Sequence, residues 1–232
     1  MNTQLIIPAG GFGTRLGRGI PKALVTIGKK PIIYWTLKKL LKIRWSFPPI
    51  IVTPQNYENT FKNALNSHFQ NINFLIIEGG HERQHSVYNG LRYLHPETEI
   101  VVIHDCARPF VPLRCVEESI EKAKEIGSAT VAIPVTDTIL EVDEKMYLKS
   151  TPNRKILYKC QTPQSFKKQI IVNSHEKAKQ QNLLFTDDAS LVHYMGNPVA
   201  IVFGDPINIK ITLPYDIAIS EYLLGIENSD HN

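Results

Sequence analysis

The chain has 232 residues, 43% of them hydrophobic, and its 26 Lys and Arg against 22 Asp and Glu give a net charge of +4. This length and apolar content suit one domain with a sizeable core, and 21% charged residues with 13 Gly and 15 Pro exclude a disordered or collagen-like chain. So mild a charge suits an anionic small molecule and is too diffuse to argue for nucleic acid, and no apolar run approaches the roughly 18 residues of a membrane span.

Residues 5–7 form a short apolar run that predicts a buried first strand. It leads into Pro8-Ala9-Gly10-Gly11-Phe12-Gly13-Thr14-Arg15-Leu16-Gly17-Arg18-Gly19-Ile20-Pro21-Lys22. Gly10, Gly11 and Gly13 let the backbone fold tightly and bring N–H groups close to an anion. Arg15 and Lys22, just past them, supply fixed charge, and the combination is what a triphosphate needs. The run is not a Walker A loop, and Gly11-Phe12-Gly13 lacks the third glycine of a dinucleotide fingerprint. A glycine-rich connection between strand and helix would explain the glycines alone. The two cations and the first-strand position favour phosphate binding.

Further apolar runs at 50–52, 74–77, 100–103, 130–133 and 199–202 predict strands. Between them, 32–43, 57–68, 83–94 and 116–126 space apolar residues three and four apart, which predicts helices. The alternation predicts an α/β fold, a Rossmann-like, mostly parallel sheet with helices on both faces. Such sheets bind ligands at the carboxyl ends of their strands, where the glycine loop, Gly79-Gly80 and Asp105 all fall. Residues 136–160 break the rhythm. Residues 138–142, a turn at Asp143-Glu144-Lys145 and residues 146–149 read as a β-hairpin. It is too polar on both sides for a central strand pair, so it reads as a protruding arm that needs a partner surface.

Asp105 ends the 100–103 strand, where a carboxylate can hold Mg²⁺ or a ribose hydroxyl, or cap the next turn. His104 alternates to the other face and reads as a packed core histidine. His81-Glu82-Arg83-Gln84-His85 has the spacing of a zinc-peptidase helix with Glu82 as base. It opens directly after two glycines, however, and Tyr88 stands where the longer metzincin pattern needs glycine. Lys22, Arg108, Arg154 and Lys210 could each be a surface charge; Lys210, between Ile209 and Ile211, points to a particular ligand. Thr186-Asp187-Asp188 reads as the N-cap of a helix through Met195, and residues 228–232 as a frayed tail. No signal peptide is expected. Cys106, Cys115 and Cys160, odd in number and without a Cys-x-x-Cys pair, suit buried thiols in a reducing cytoplasm.

The glycine loop resembles the pyrophosphorylase-type signature of sugar nucleotidyltransferases. Four further segments follow in order: Gly79-Gly80-His81-Glu82-Arg83-Gln84-His85-Ser86-Val87, His104-Asp105-Cys106-Ala107-Arg108-Pro109-Phe110, Arg154 followed by Thr162-Pro163-Gln164-Ser165-Phe166, and Asn208-Ile209-Lys210-Ile211-Thr212-Leu213-Pro214-Tyr215-Asp216. Together they make the chain resemble the 2-C-methyl-D-erythritol 4-phosphate cytidylyltransferase family from residue 8 to residue 216. The chain departs from the pattern at Gly10, where the family commonly has a second alanine. Its Ala-Gly-Gly start and Pro-Tyr-Asp end also resemble ribitol-5-phosphate cytidylyltransferases.

The resemblance implies that CTP and a sugar-alcohol phosphate give a CDP-alcohol and pyrophosphate, in non-mevalonate isoprenoid biosynthesis. It implies CTP contacts at Ala9, Gly10, Gly11, Phe12, Gly13, Thr14, Gly80, His81, Arg83, Ser86 and Asp105, with cytosine read by backbone atoms and Ser86. Arg15 and Lys22 would meet the α-phosphate and pyrophosphate. Mg²⁺ or another divalent cation would sit near Asp105. Arg154 and Lys210 would position the acceptor phosphate, and Thr138, Arg108 and Thr162 would line the site. The resemblance further implies one nucleotidyltransferase domain over 1–232, working as a cytoplasmic homodimer in which the arm of one copy reaches into the other's site. Competing readings are ribitol 5-phosphate transfer, a zinc hydrolase built on His81 and His85, and a non-catalytic nucleotide-binding module.

Overall fold

Strands of consecutive apolar residues, buried on both faces, need helices on both sides of the sheet. The computed structural model describes residues 1–229, and for Arg15 and residues 226–229 the backbone alone. In chain order the elements are β1 (Thr3–Pro8), β2 (Thr26–Ile27), β3 (Lys30–Pro31), α1 (Ile32–Leu40), β4 (Ile50–Thr53), α2 (Glu58–Asn66), β5 (Leu75–Glu78), α3 (Arg83–Leu91), β6 (Ile100–Ile103), α4 (Leu113–Ile126), β7 (Ser128–Pro134), β8 (Glu141–Val142), β9 (Leu148–Ser150), β10 (Tyr158–Lys167), α5 (Lys168–Gln180), α6 (Asp188–Tyr194), β11 (Ala200–Phe203) and α7 (Pro214–Ser229).

Seven strands form the central sheet in the order β11-β7-β10-β6-β1-β4-β5. β1 pairs in parallel with β4 and β6, β4 with β5, and β7 with β11. β10 is antiparallel to both β6 and β7, so it alone runs against the rest. Alternation within each strand splits the core in two. Leu5, Ile7, Ile51, Ile100 and Val102 face α1, α2, α4 and α7. Ile6, Ile50, Val52, Val101, Ile103 and Phe166 face α3, α5 and α6. Each such fully buried Ile, Leu or Phe contributes about 1.5–3 kcal/mol relative to exposure.

The six strands and four helices expected from the apolar pattern are all present; three helices end up to three residues short of the expectation, and α4 begins three residues before it. The pattern did not disclose β10, α5 or α7. The expected tail at 228–232 is corrected in part: Asn228 and Ser229 continue α7, and the last three residues lie outside the described ones. The hairpin is real but small. β8 and β9 pair antiparallel, and both are exposed along their whole length.

Candidate active site

β1, β4, β5 and β6 all end on one edge of the sheet, so the loops that follow them converge there. The first is held by its backbone: Ala9 N–H donates to Val52 O at 2.7 Å, and Lys22 N–H to Gly11 O at 2.9 Å. Gly13 has φ +58°, and a Cβ there would lie 2.9 Å from the Lys22 Cβ. Glycine therefore lets the Lys22 stem pack under the loop. Phe12 meets Tyr57 edge to face, with centroids 5.5 Å apart, tying the loop tip to the segment before α2.

A cavity of about 220 Å³ opens at this edge. The structure brings Ala9, Gly10, Gly11, Lys22, Gly80, His81, Arg83, Ser86, Asp105 and Lys210 together on its walls. Gly80 N–H donates to Ser86 Oγ at 3.2 Å, which pins the turn before α3 to the helix's first turn. A side chain at Gly80 would overlap His85, so that turn exposes bare backbone. Pro8, Ala23, Glu82, Cys106 and Ala107 complete the lining, and burial pushes the Cys106 thiol up to about 12, keeping it neutral.

Asp105 is the centre of the cavity's charge. Its oxygens lie 2.7 Å from Lys210 Nζ, 3.0 Å from Arg83 Nε and 3.9 Å from Arg108 Nε. Burial alone would raise this carboxyl, but Arg83, Lys210 and Arg108 together hold it well below the usual carboxylate range. Behind it, Asp105 N–H donates to Thr162 Oγ1 at 3.0 Å. Thr162 Oγ1 also lies 3.1 Å from His104 Nδ1, and His104 Nε2 lies 3.0 Å from Arg108 O. The carbonyl can only accept, so Nε2 carries the proton and Nδ1 accepts from Thr162. His104 is fully buried, as its strand position implied, and burial lowers it to about 4, so it stays neutral.

Arg108 and Thr162 thus stand behind Asp105, outside the lining, and Phe12, Gly13 and Thr14 are not among the lining residues either. The backbone of Arg15 lies in a short turn over Thr14–Leu16, and its side chain is outside the description. Thr138 and Arg154 are not brought to this cavity by their own chain. Both are exposed on the arm, where Arg154 Nη1 donates to Thr136 O at 2.8 Å.

The sequence left Asp188, His175 and Gln164 out of the site. Arg83 Nη1 donates to Asp188 Oδ2 at 2.7 Å, and Asp188 Oδ1 lies 3.0 Å from His175 Nε2. Burial works against both charges, but each partner holds the other, with Asp188 lowered and Arg83 raised. Asp187 is the N-cap of α6, accepting from Ser190 N–H, as Thr186-Asp187-Asp188 suggested. The one available signal was the second aspartate of that pair, which a single cap leaves unused. The zinc-peptidase spacing loses its basis, because α3 begins at Arg83 and His81 therefore precedes the helix. Among the described residues no group of three potential ligands could hold a metal ion.

Lys22 from the loop after the first strand, Arg83 and Lys210 gathered with the bare Gly80 backbone at the carboxyl ends of parallel strands fit a nucleotide-binding α/β enzyme of the nucleotidyltransferase class. Residues 3–226 match the family model for IspD, 2-C-methyl-D-erythritol 4-phosphate cytidylyltransferase, and the chain belongs to that family. It is 41% identical over 225 residues to the 2-C-methyl-D-erythritol 4-phosphate cytidylyltransferase of Caldanaerobacter subterraneus subsp. tengcongensis, covering 97% of this chain and 99% of that one. It is 38% identical to the Clostridioides difficile protein of the same name, covering 98% and 95%. Its fold matches the crystal structure of 4-diphosphocytidyl-2C-methyl-D-erythritol synthase from Anaerococcus prevotii, with TM-score 0.85 and 28% identity over 97% of this chain and 96% of that one. The 2-C-methyl-D-erythritol 4-phosphate cytidylyltransferase structure from Thermus thermophilus gives TM-score 0.79 and 30% identity, covering 96% and 98%.

Proposed function

We propose that this enzyme transfers CMP from CTP to 2-C-methyl-D-erythritol 4-phosphate, giving 4-diphosphocytidyl-2-C-methyl-D-erythritol and pyrophosphate, in non-mevalonate isoprenoid biosynthesis. The observation that carries the reading is one cavity, in a chain of this family, lined by the glycine loop, the Gly80–Ser86 turn and the Asp105–Lys210 pair. An acceptor phosphate oxygen forms a bond to the α-phosphorus of CTP. The bond from that phosphorus to the bridging oxygen breaks, and its electron pair leaves with pyrophosphate. A phosphate is already ionised near neutral pH, so no general base is required, and the protein's part is position and charge.

Two unit charges 4 Å apart repel by about 4 kcal/mol at an effective dielectric of about 20. Lys22 and Arg15 offset that repulsion as charge moves onto pyrophosphate, and Lys210 offsets it at the acceptor. The backbone at Gly80 and the Ser86 hydroxyl read cytosine. Mg²⁺ or another divalent cation belongs to this reading, since such ions bind through one or two carboxylates plus substrate phosphates. Asp105, held ionised by its neighbours, is the residue that would hold it; when bound, the ion shields phosphate charge. Arg83 and Arg108 keep that carboxylate oriented.

We read the chain as one nucleotidyltransferase domain that works as a homodimer, with the 136–160 arm as its dimerisation element. Leu140, Met146, Tyr147, Leu148 and Ile156 are all exposed, which leaves the arm without cover on its own chain. A second copy would cover it and bring Thr138 and Arg154 to the acceptor. A cytoplasmic enzyme is the reading that its free cysteines support, and among the described residues no helix is long and apolar enough to cross a membrane. Pyrophosphate release from CTP, measured in parallel with 2-C-methyl-D-erythritol 4-phosphate and with ribitol 5-phosphate, tests the reading. Turnover with the methylerythritol phosphate is expected; turnover with ribitol 5-phosphate alone, or with neither, overturns it.

A further inference from the structure

Arg83 is tethered at two points of its guanidinium. Nε donates to Asp105 in the cavity at 3.0 Å, and Nη1 to Asp188 at 2.7 Å. Asp188 does not line the cavity; its side chain is only 1% exposed. The residue is held further on both its side chain and its backbone. His175 of α5, itself 1% exposed, meets its other oxygen, and the Asp188 N–H donates to Gln164 Oε1 at 3.0 Å. Behind them the Tyr88 ring lies parallel to His175 at 6.3 Å, with Lys179 Nζ over that ring. A buried ion pair is weak evidence for stability, since an apolar pair of the same volume often does as well. A tether that ends on the cavity's carboxylate has a different consequence. Two carboxylates share one guanidinium, so Arg83 cannot swing wholly onto either, and Asp105 keeps charge with which to hold Lys210.

We propose that Asp188 and His175 are positioning residues for the reaction: they pin the Arg83 guanidinium, whose Nε edge sets the orientation of Asp105 and, through it, the place of Lys210. The kinetic half of the test rests on the cytidylyltransferase reading; the spectroscopic half does not. In ¹⁵N-labelled protein the Arg83 Nε–H resonance, assigned by its loss in Arg83→Gln, reports the contact with Asp105 and so how the guanidinium is seated. Asp188→Asn shifts that resonance and lowers kcat/KM for CTP by roughly 10–100-fold, the usual loss when an outer support is removed. His175→Gln moves both in the same direction by less. Asp187→Ala is the control: it uncaps α6, lowering its thermal stability, yet leaves the resonance in place and kcat/KM within about twofold of wild type.

An unchanged resonance in folded Asp188→Asn overturns the proposal. So does a changed resonance with kcat/KM within about twofold of wild type, or Asp187→Ala reproducing the Asp188→Asn losses. If Asp188→Asn does not fold, His175→Gln decides by the same criteria. If wild type turns over neither acceptor, the functional reading fails while the resonance still decides the tether.

Discussion

Asp105 meets Lys210 at 2.7 Å and Arg83 at 3.0 Å inside a cavity closed by the ends of parallel strands. On the arm, Arg154 donates to the Thr136 carbonyl at 2.8 Å, beside side chains as exposed as Met146 (78%) and Ile156 (76%). Both regions carry residues assigned to one reaction, yet the fold organises only the first. In a parallel sheet the register of each strand fixes where the next loop begins, so charges from distant segments arrive together. A two-stranded ribbon has no second layer, so its surroundings must come from elsewhere. In the proposed reading the chain builds the nucleotide end of the site by itself and borrows part of the acceptor end from a second copy.

This contrast can be broken by mutation. Phe166 is fully buried between β10 and the α5 face, and Phe166→Ala is expected to lower the unfolding free energy by about 3–5 kcal/mol. Leu148 on the arm is 62% exposed, and Leu148→Ala should change it by less than about 0.5 kcal/mol. Urea unfolding of the two variants at low protein concentration makes the comparison; equal losses would mean that the arm packs within its own chain.

Next in size is Lys22→Ala, expected to cut kcat by roughly 10²–10³ with a smaller change in KM for CTP, as when one transition-state charge contact is lost. Steady-state kinetics with kcat within about twofold of wild type would remove Lys22 from that role.

Smaller again is a pH effect confined to the cavity edge. Burial lowers His104 to about 4, against about 6.5 in the unfolded chain. Between those values the unfolded chain binds a proton that the folded chain refuses. Stability from this group is therefore complete above about pH 6.5 and lost as pH falls toward about 4, by about 3 kcal/mol in all. Urea unfolding at steps of pH should show this slope, and His104→Gln should flatten it. The same slope in the variant would assign the effect to other groups.

Much of the fold was legible because the parallel strands are apolar throughout and stand at regular intervals. β10 was hidden by its chemistry. Gln161, Thr162, Pro163, Gln164 and Ser165 form no apolar run and so predicted no strand, yet they lie near the middle of the sheet. Gln164 Nε2 donates to Thr130 Oγ1 at 3.0 Å, and Ser165 Oγ lies 2.8 Å from Ser119 Oγ. Polar residues survive at the centre of a sheet only when satisfied in this way, and a single sequence does not display the partners. The glycine loop, Gly80, Ser86, Asp105 and Lys210 were legible as cavity residues because each sits in a short motif at a strand end or between apolar residues. The Arg83–Asp188 pair was not, because its partners are 105 residues apart and local patterning carries no sign of it.

The central claim is that one site draws on the cavity of one copy and the arm of another. Lys22→Ala damages the cavity and Arg154→Ala the arm, so each homodimer should be nearly inactive. In a mixed dimer one of the two composite sites would keep both residues. Co-refolding equal amounts of the two variants and measuring pyrophosphate release from CTP should therefore recover about a quarter of wild-type activity if the copies assort at random. No recovery, with mixed dimers verified by native mass spectrometry, would place Arg154 in the site of its own chain and contradict the account.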